Sequence, residues 1–229
     1  IYDKKEQLNL STEDAKLLED LYESFKANGA TLNKDDKEKY RKLSMDLSML
    51  TLQFDQNALK DKNRFELLIT DENELSGLPE SARDAAAMLA KSKDKNGWLF
   101  NLSAPSYIPF MRYSDKRDLR EKMYREYMSV GNKGDEFDNK DIIKKIVNIR
   151  LEIAQLMGFK NYAEYALEHT MAKNSANVYK LLNQLLEAYK PIAINEYNAV
   201  EGFALGTEKE NITVMPWDWS YYSEKLRDI

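Results

Sequence analysis

The chain has 229 residues, of which 43% are hydrophobic and 32% charged, and its 34 basic and 39 acidic side chains give a net charge of −5. This length suits one large domain or two small ones with a substantial core. The interleaved charges argue against the clustered basic face that nucleic acids require. Because the chain has no cysteine, disulfide scaffolds, thiolate metal sites and cysteine nucleophiles are excluded.

The first two predicted helices form an αα-hairpin. Ser11 is predicted to cap a helix that ends at Gly29, and Asn33 to cap a second helix over about 34–62. Apolar residues spaced by three and four are expected to face a core. They are Leu17, Leu18, Leu21, Tyr22 and Phe25 in the first helix, and Tyr40, Leu43, Leu47, Leu50 and Phe54 in the second.

The next stretch mixes helices with short strands. Residues 65–69 either finish the second helix or form a strand, and 98–102 are the best strand candidate. Pro79 suits the first position of a helix to about residue 93. Residues 106–112 are expected to form one or two helical turns, and Ser114 to cap a helix to about residue 128.

The second half is predicted to be helical. An acidic loop over 131–141 lacks the order of an EF-hand and is interpreted as solvated. Asp138 or Asn139 starts a helix that ends at Gly158, Asn161 caps a short one, and a long one runs from Ser175 to near Gly206 with a kink at Pro191. The predicted inward residues are Ile142, Ile146, Ile149, Ile153 and Leu156 in the first of these helices, and Val178, Leu181, Leu182, Leu185, Tyr189 and Ile192 in the long one. Residues 212–214 are a further strand candidate, and Asp218 or Ser220 is expected to cap a final helix.

Few residues suggest chemistry. His169 is the only histidine, whereas the zinc motif H-E-x-x-H needs two histidines one helical turn apart. A Ser-His-Asp triad needs only one, but no supporting motif surrounds His169, so we interpret it as a structural or surface residue. There is also no Gly-rich phosphate loop. We therefore assign no catalytic and no metal-binding residue in this chain.

An aromatic cluster near the C-terminus is the most unusual segment. Trp217, Asp218, Tyr221 and Tyr222 combine large rings with polar groups, so they suit either the wall of a substrate cleft or an aromatic corner that anchors a loop. Tyr107, in the turn over 106–110, allows the same two interpretations. These five residues are the candidates for a substrate channel.

Several segments in order resemble the thermolysin-like zinc oligopeptidases, a family that includes peptidyl-dipeptidase (dipeptidyl carboxypeptidase), oligopeptidase A and thimet oligopeptidase. The peptidyl-dipeptidase branch is interpreted as the nearest. The matching segments are GATL at 29–32, the helix at 43–57 with its FDQN end, ITDENELSGLPES at 69–81, LSAPSYIPFM at 102–111, REKMY at 120–124, IRLEIAQLMGFKNYA at 149–163, MA at 171–172, PWD at 216–218 and YYSEK at 221–225.

The resemblance implies a mainly α fold with one or two short strands, as part of a two-lobed, neurolysin-like zincin with a central channel. It implies hydrolysis of short peptides, with release of C-terminal dipeptides in the peptidyl-dipeptidase branch. Zinc, held by H-E-x-x-H and a further glutamate, would activate water. Those motifs follow the PWD segment in the family, so none of them can be placed on residues of this chain.

We therefore expect residues 1–229 to form a single helical region, the N-terminal or middle part of a larger peptidase whose catalytic zinc lobe is absent. The expected cofactor of the parent enzyme is zinc. The expected partners of that enzyme are short peptides and the missing lobe, with no nucleic acid or membrane. Its compartment is expected to be the cytoplasm, with the periplasm as the alternative. The competing hypothesis is a non-catalytic helical module that binds peptides or a protein.

Overall fold

The computed structural model describes residues 1–208 and 212–227 and is mainly α-helical, as the sequence predicts. The α-helices in these ranges are α1 (Thr12–Ala27), α2 (Lys34–Arg64), α3 (Glu80–Ser92), α4 (Ala104–Tyr113), α5 (Arg117–Met128), α6 (Lys140–Leu156), α7 (Tyr162–Leu167), α8 (Ser175–Thr207) and α9 (Trp219–Arg227). Short 3-10 helices occupy Tyr2–Gln7 and Glu72–Leu75. Across the described ranges, no helix is both long and apolar enough to cross a membrane.

Side-chain caps fix the first two helices where the sequence predicts them. The Ser11 hydroxyl accepts a hydrogen bond from the backbone N–H of Asp14 at 3.1 Å. The side chain of Asn33 accepts one from the N–H of Asp36 at 2.9 Å. Both bonds satisfy a donor that the first turn of a helix otherwise leaves free. Gly29, in the connection, has φ +80°, which glycine adopts at little cost.

Residues 65–69 contain a strand rather than the end of α2. Strand β1 (Leu67–Ile69) pairs antiparallel with β2 (Trp98–Phe100), with Leu68 opposite Leu99. Leu67 and Ile69 are buried and Leu68 is exposed, which is the alternation of a strand with one covered face.

The start of α5 differs from the prediction. Ser114 ends α4 instead of capping α5, because its backbone N–H donates to the carbonyl of Phe110 at 3.1 Å. The next N–H, of Asp115, is bound by the carbonyl of Ser76 at 2.9 Å. This contact between distant residues delays the start of α5 to Arg117. The long helix ends at Thr207, one residue past the predicted stop at Gly206, whereas the strand predicted at 212–214 is absent.

The chain divides into two compact units. The first comprises Ile1–Gln53 and Asp141–Leu181. Its buried residues include Leu43, Ile142 and Ile153, which lie on the stripes predicted for α2 and α6. The hydroxyl of Tyr165 on α7 donates to the carbonyl of Ala27 at 2.7 Å. Burial, with Tyr40 nearby, raises the pKa of Tyr165 to about 12.

The second unit comprises Phe54–Lys140 and Leu182–Ile229. It holds two buried apolar clusters. The larger one is formed by the sheet, α3, α4 and α5 and includes Phe100, Phe110 and Trp217. The smaller one joins the end of α8 to α9 through Val200, Ala204 and Tyr222. That the whole chain forms one helical region of a larger peptidase stays a prediction.

Two of the predicted core stripes are mostly exposed. Leu17, Leu21 and Phe25 of α1 are exposed, and so are all the residues expected to face inward on α8 except half-buried Val178. An apolar stripe indicates that a helix face is suited to burial. It does not specify which segment covers that face: on α1 only Leu18 and Tyr22 of the stripe are half-buried, and Tyr2 stacks on Tyr22.

Candidate functional site

Asp218 lies at the centre of the segment that carries most of the candidate residues. Its carboxylate is fully buried. It accepts hydrogen bonds from Arg117, whose Nη2 lies 2.7 Å away, and from Arg120, whose Nη2 lies 2.8 Å away. The backbone N–H of Met215 donates a further bond at 3.1 Å. The side chains of Asp218, Arg117 and Arg120 are called the Asp218 network below.

The two arginines also bind the backbone of the segment before α9. Arg117 donates to the carbonyl of Thr213 at 2.9 Å. Arg120, which is 1% exposed, donates to the carbonyls of Ser114 at 2.7 Å and Trp217 at 3.3 Å. Because Arg117 and Arg120 are three residues apart on α5, they project from one face of that helix. The Asp218 network therefore fastens residues 213–218 to α5.

The network holds Asp218 in its charged form. Burial by itself raises the pKa of this carboxyl, but hydrogen bonds from Arg117, Met215 and Arg120 outweigh it and lower the pKa below the ordinary value of 3.8. A carboxyl whose pKa is lower in the folded state stabilises the fold above the unfolded pKa. That stabilisation is lost as the pH falls through the folded pKa.

We expect the free energy of unfolding to fall as the pH drops below about 4, and to fall less steeply in Asp218→Asn, which has no carboxyl to protonate at this site. Urea unfolding at a series of pH values between about 7 and 2.5 measures both slopes. Equal slopes in the two proteins would show that Asp218 does not contribute to the acid sensitivity.

A second set of polar contacts fixes α9. The hydroxyl of Tyr221 donates to the carboxylate of Asp115 at 2.7 Å, and Ser76 donates to the same group at 2.6 Å. Burial opposes ionisation of Asp115, but these bonds and Lys225 give a net lowering of its pKa. The guanidinium of Arg120 lies 4.0 Å from the centre of the Tyr221 ring, which is a cation–π distance.

The other tyrosine candidates differ in exposure. Tyr222 is 1% exposed, and its pKa is raised by burial and by Glu208. Tyr107 is half-buried, stacks on Tyr127 with ring centres 4.2 Å apart, and has a pKa raised to about 12, mainly by burial. It packs at the edge of the larger apolar cluster that contains Trp217.

Trp217, Asp218, Tyr221 and Tyr222 are thus brought together, and all four are buried by this chain's own atoms. Their contacts are those of the anchoring interpretation, while contact with a substrate stays a prediction. Arg117 and Arg120 were not among the candidate residues predicted from the sequence. Arg120 opens the REKMY segment, but about 100 residues separate it from Asp218, and spacing along the chain could not pair them.

An exposed aromatic pair lies beside these buried residues. Trp219, the first residue of α9, is 37% exposed and stacks on Tyr197 of α8, with ring centres 5.9 Å apart and planes 8° from parallel. Neither residue was among the sequence candidates. Trp219 has the same residue type as Trp217 but is more exposed, and residue type alone could not distinguish the two.

The residues present do not fit a zinc site of the H-E-x-x-H type. His169 is exposed, its Nε2 lies 3.4 Å from the carboxylate of Glu168, and the sequence offers no second imidazole. Within 1–208 and 212–227, no three histidine, cysteine, aspartate or glutamate side chains gather as metal ligands do.

Comparison with known proteins decides the family. The family model described as "Peptidase family M3" matches residues 110–228, which is more than half of the chain. The chain belongs to peptidase family M3. The matched range of this M3 chain contains α5, α9 and the whole Asp218 network, so the network is part of the family domain. The resemblance found from the sequence segments is confirmed.

The M3 chain matches several curated relatives over nearly its whole length. It is 38% identical over 218 residues to oligopeptidase A of Haemophilus influenzae, covering 93% of this chain and 32% of the relative. It is 36% identical over 225 residues to oligopeptidase A of Salmonella typhimurium, covering 95% and 32%. It is 28% identical over 228 residues to dipeptidyl carboxypeptidase of Escherichia coli, covering 99% and 33%.

The coverage and the identities each limit what these relatives imply. The M3 chain spans about a third of the length of the relatives it matches. Identity is higher to the two oligopeptidases A than to the dipeptidyl carboxypeptidase, so the placement nearest the peptidyl-dipeptidase branch is not supported.

Proposed function

We propose that the parent of this chain is a zinc metallopeptidase that hydrolyses short peptides, and that residues 1–229 serve it as scaffold and channel wall without catalytic residues. The family match over 110–228 carries the proposal. The single histidine supports the second half, since the zinc motif requires two. Zinc, when bound elsewhere in the parent, would activate the attacking water.

The scaffold role rests on the Asp218 network. Two arginines of α5 hold the PWD segment: Arg120 binds the carbonyl of Trp217, and Arg117 and Arg120 both bind the buried carboxylate of Asp218. Residues held in this way keep one conformation, because their rotamers are locked by packing and hydrogen bonds together. A segment fixed in this way can present a constant surface to a neighbouring lobe or to a substrate.

The channel-wall role is assigned to Tyr107, Trp217, Asp218, Tyr221 and Tyr222 as a supporting layer. Their side chains are mostly buried, so they would shape the wall from behind, while exposed neighbours such as Trp219 form its surface. A narrow channel admits short peptides and excludes folded proteins.

Two modes of cleavage are open to the parent. Release of C-terminal dipeptides is supported by the name of the dipeptidyl carboxypeptidase relative. Cleavage within oligopeptides is favoured by the higher identity to oligopeptidase A. A peptide with an amidated C-terminus separates the two modes, because a dipeptide-releasing enzyme needs the free carboxylate and an endopeptidase does not. We place the parent in the cytoplasm, with the periplasm as the alternative.

Hydrolysis of a short fluorogenic peptide tests the proposal. We expect the full-length parent to cleave it, to lose activity in a chelator and to regain it with zinc. The isolated 229-residue chain is expected to remain at background with or without zinc. Zinc-dependent turnover by the isolated chain would contradict the assignment of no catalytic residues.

The alternative is a non-catalytic helical module that binds peptides or a protein, which the single histidine favours. A gene that encodes no H-E-x-x-H beside this region, together with peptide binding measured by chemical-shift changes at Trp217–Tyr222, would support it over the peptidase.

A further inference from the structure

The long helix α8 carries an exposed apolar face. Residues 179–199 are all exposed, yet this stretch has only four charged residues, Lys180, Glu187, Lys190 and Glu196. Its large apolar side chains are between 42% and 65% exposed; they are Tyr179, Leu181, Leu182, Leu185, Leu186, Tyr189, Ile192, Ile194 and Tyr197. Such a surface is unusual on a protein in water unless another surface covers it.

These apolar residues follow the helical repeat and spread over roughly 220° of the helix circumference. With about 100° per residue, Leu182, Leu185 and Tyr189 point to one side, and Lys180 and Glu187 to the opposite side. The prediction of an apolar face on α8 is therefore confirmed. Within the described part of the second unit, no surface covers it.

The same face is already packed at the other end of α8. About eighteen residues make five turns of an α-helix, so Leu182, Leu185 and Leu186 lie on the line of Val200, Phe203 and Ala204. Val200 and Ala204 are buried, and Phe203 is partly buried, against Tyr221 and Tyr222 of α9 and apolar residues near them. Apart from Glu196, which lies seven residues after Tyr189 on the same face, the exposed face thus continues an apolar contact that begins within the second unit.

We infer that residues 182–193 of α8 form a docking surface for the part of the parent chain outside residues 1–229. This inference rests on the proposed function, because it requires a longer M3 parent. The exposed face lies inside the range matched by the family model, and the relatives are about three times as long as this chain. A second copy of the chain and a substrate peptide are the competing occupants.

Thiol labelling of the full-length parent tests the inference, since these 229 residues contain no cysteine of their own. Leu185→Cys places a thiol on the apolar face, and Glu187→Cys places a matched thiol two residues away on the polar face. We expect maleimide to modify the first more slowly by on the order of tenfold or more, because a covered site reacts only through local opening. Both should react alike in denaturant, and mass spectrometry of the α8 peptide reads each site.

The outcomes are distinct. Equal labelling of the two thiols in the folded parent would overturn the inference. Protection of Leu185→Cys that disappears on dilution would assign the surface to a second copy, and protection that appears only with added peptide would assign it to substrate; either result would also overturn it. Peptide hydrolysis by the same variants is measured separately, so an inactive but protected parent would contradict the proposed function and not the docking surface.

Discussion

Replacing Asp218 with alanine is expected to lower the free energy of unfolding by about 3–5 kcal/mol, because removing one partner of a buried ion pair leaves the other charge uncompensated. Arg120 is 1% exposed and its Nη2 lies 2.8 Å from the lost carboxylate. Arg117 would lose its bonds to Asp218 as well. Urea unfolding of the 229-residue chain measures the change, and the midpoint should fall without a change in slope.

A matched control separates burial from the loss of a negative charge. Asp141 forms an ion pair with Lys144, but both side chains are largely exposed. Asp141→Ala should therefore have little effect on the free energy of unfolding. If Asp218→Ala lowered the free energy of unfolding as little as Asp141→Ala, the Asp218 network would not be important for the stability of the fold.

Gly77→Ala is expected to destabilise the chain by about 2–5 kcal/mol, because a left-handed residue with a side chain is strained and the new atom has no room. Gly77 has φ +84°. A Cβ at this position would lie 2.1 Å from the backbone oxygen of Tyr113 and 2.8 Å from the carboxylate of Asp115. The backbone oxygen cannot move without shifting the end of α4, next to the second set of contacts that fixes α9.

Gly134→Ala provides the control for backbone strain alone. Gly134 has a similar φ of +72°, but no atom lies within 4 Å of the point that its Cβ would occupy. The Gly134→Ala substitution should lower the free energy of unfolding by about 1–2 kcal/mol. Thermal unfolding of both variants measures the difference, and a Gly77→Ala protein as stable as Gly134→Ala would show that the close approach of Gly77 to Tyr113 is not maintained in solution.

Local signals explain which elements the sequence could predict. Ser11 and Asn33 mark helix starts because each side-chain oxygen accepts a hydrogen bond from the backbone N–H three residues later. This contact is local and does not depend on the rest of the fold. The strand at 98–100 is bounded by a turn and a proline. Helix caps and strand boundaries of this kind depend on residues close together in the sequence, so they can be predicted from the sequence.

Contacts between distant residues explain what the sequence could not predict. The start of α5 depends on the bond between Asp115 and Ser76, and the partners of Asp218 lie about 100 residues earlier in the chain. For α8 the pattern indicated the apolar face but not its exposure, because burial depends on the surface that covers a helix and not on the helix itself.

Zinc content tests whether this chain is a non-catalytic region of an M3 metallopeptidase. The full-length parent and the isolated 229-residue chain are each loaded with zinc, dialysed and measured by atomic emission. We expect the parent to retain a stoichiometric amount of zinc together with peptidase activity, and the isolated chain to retain neither. Stoichiometric zinc on the isolated chain, or an active parent without metal, would show that this assignment is wrong.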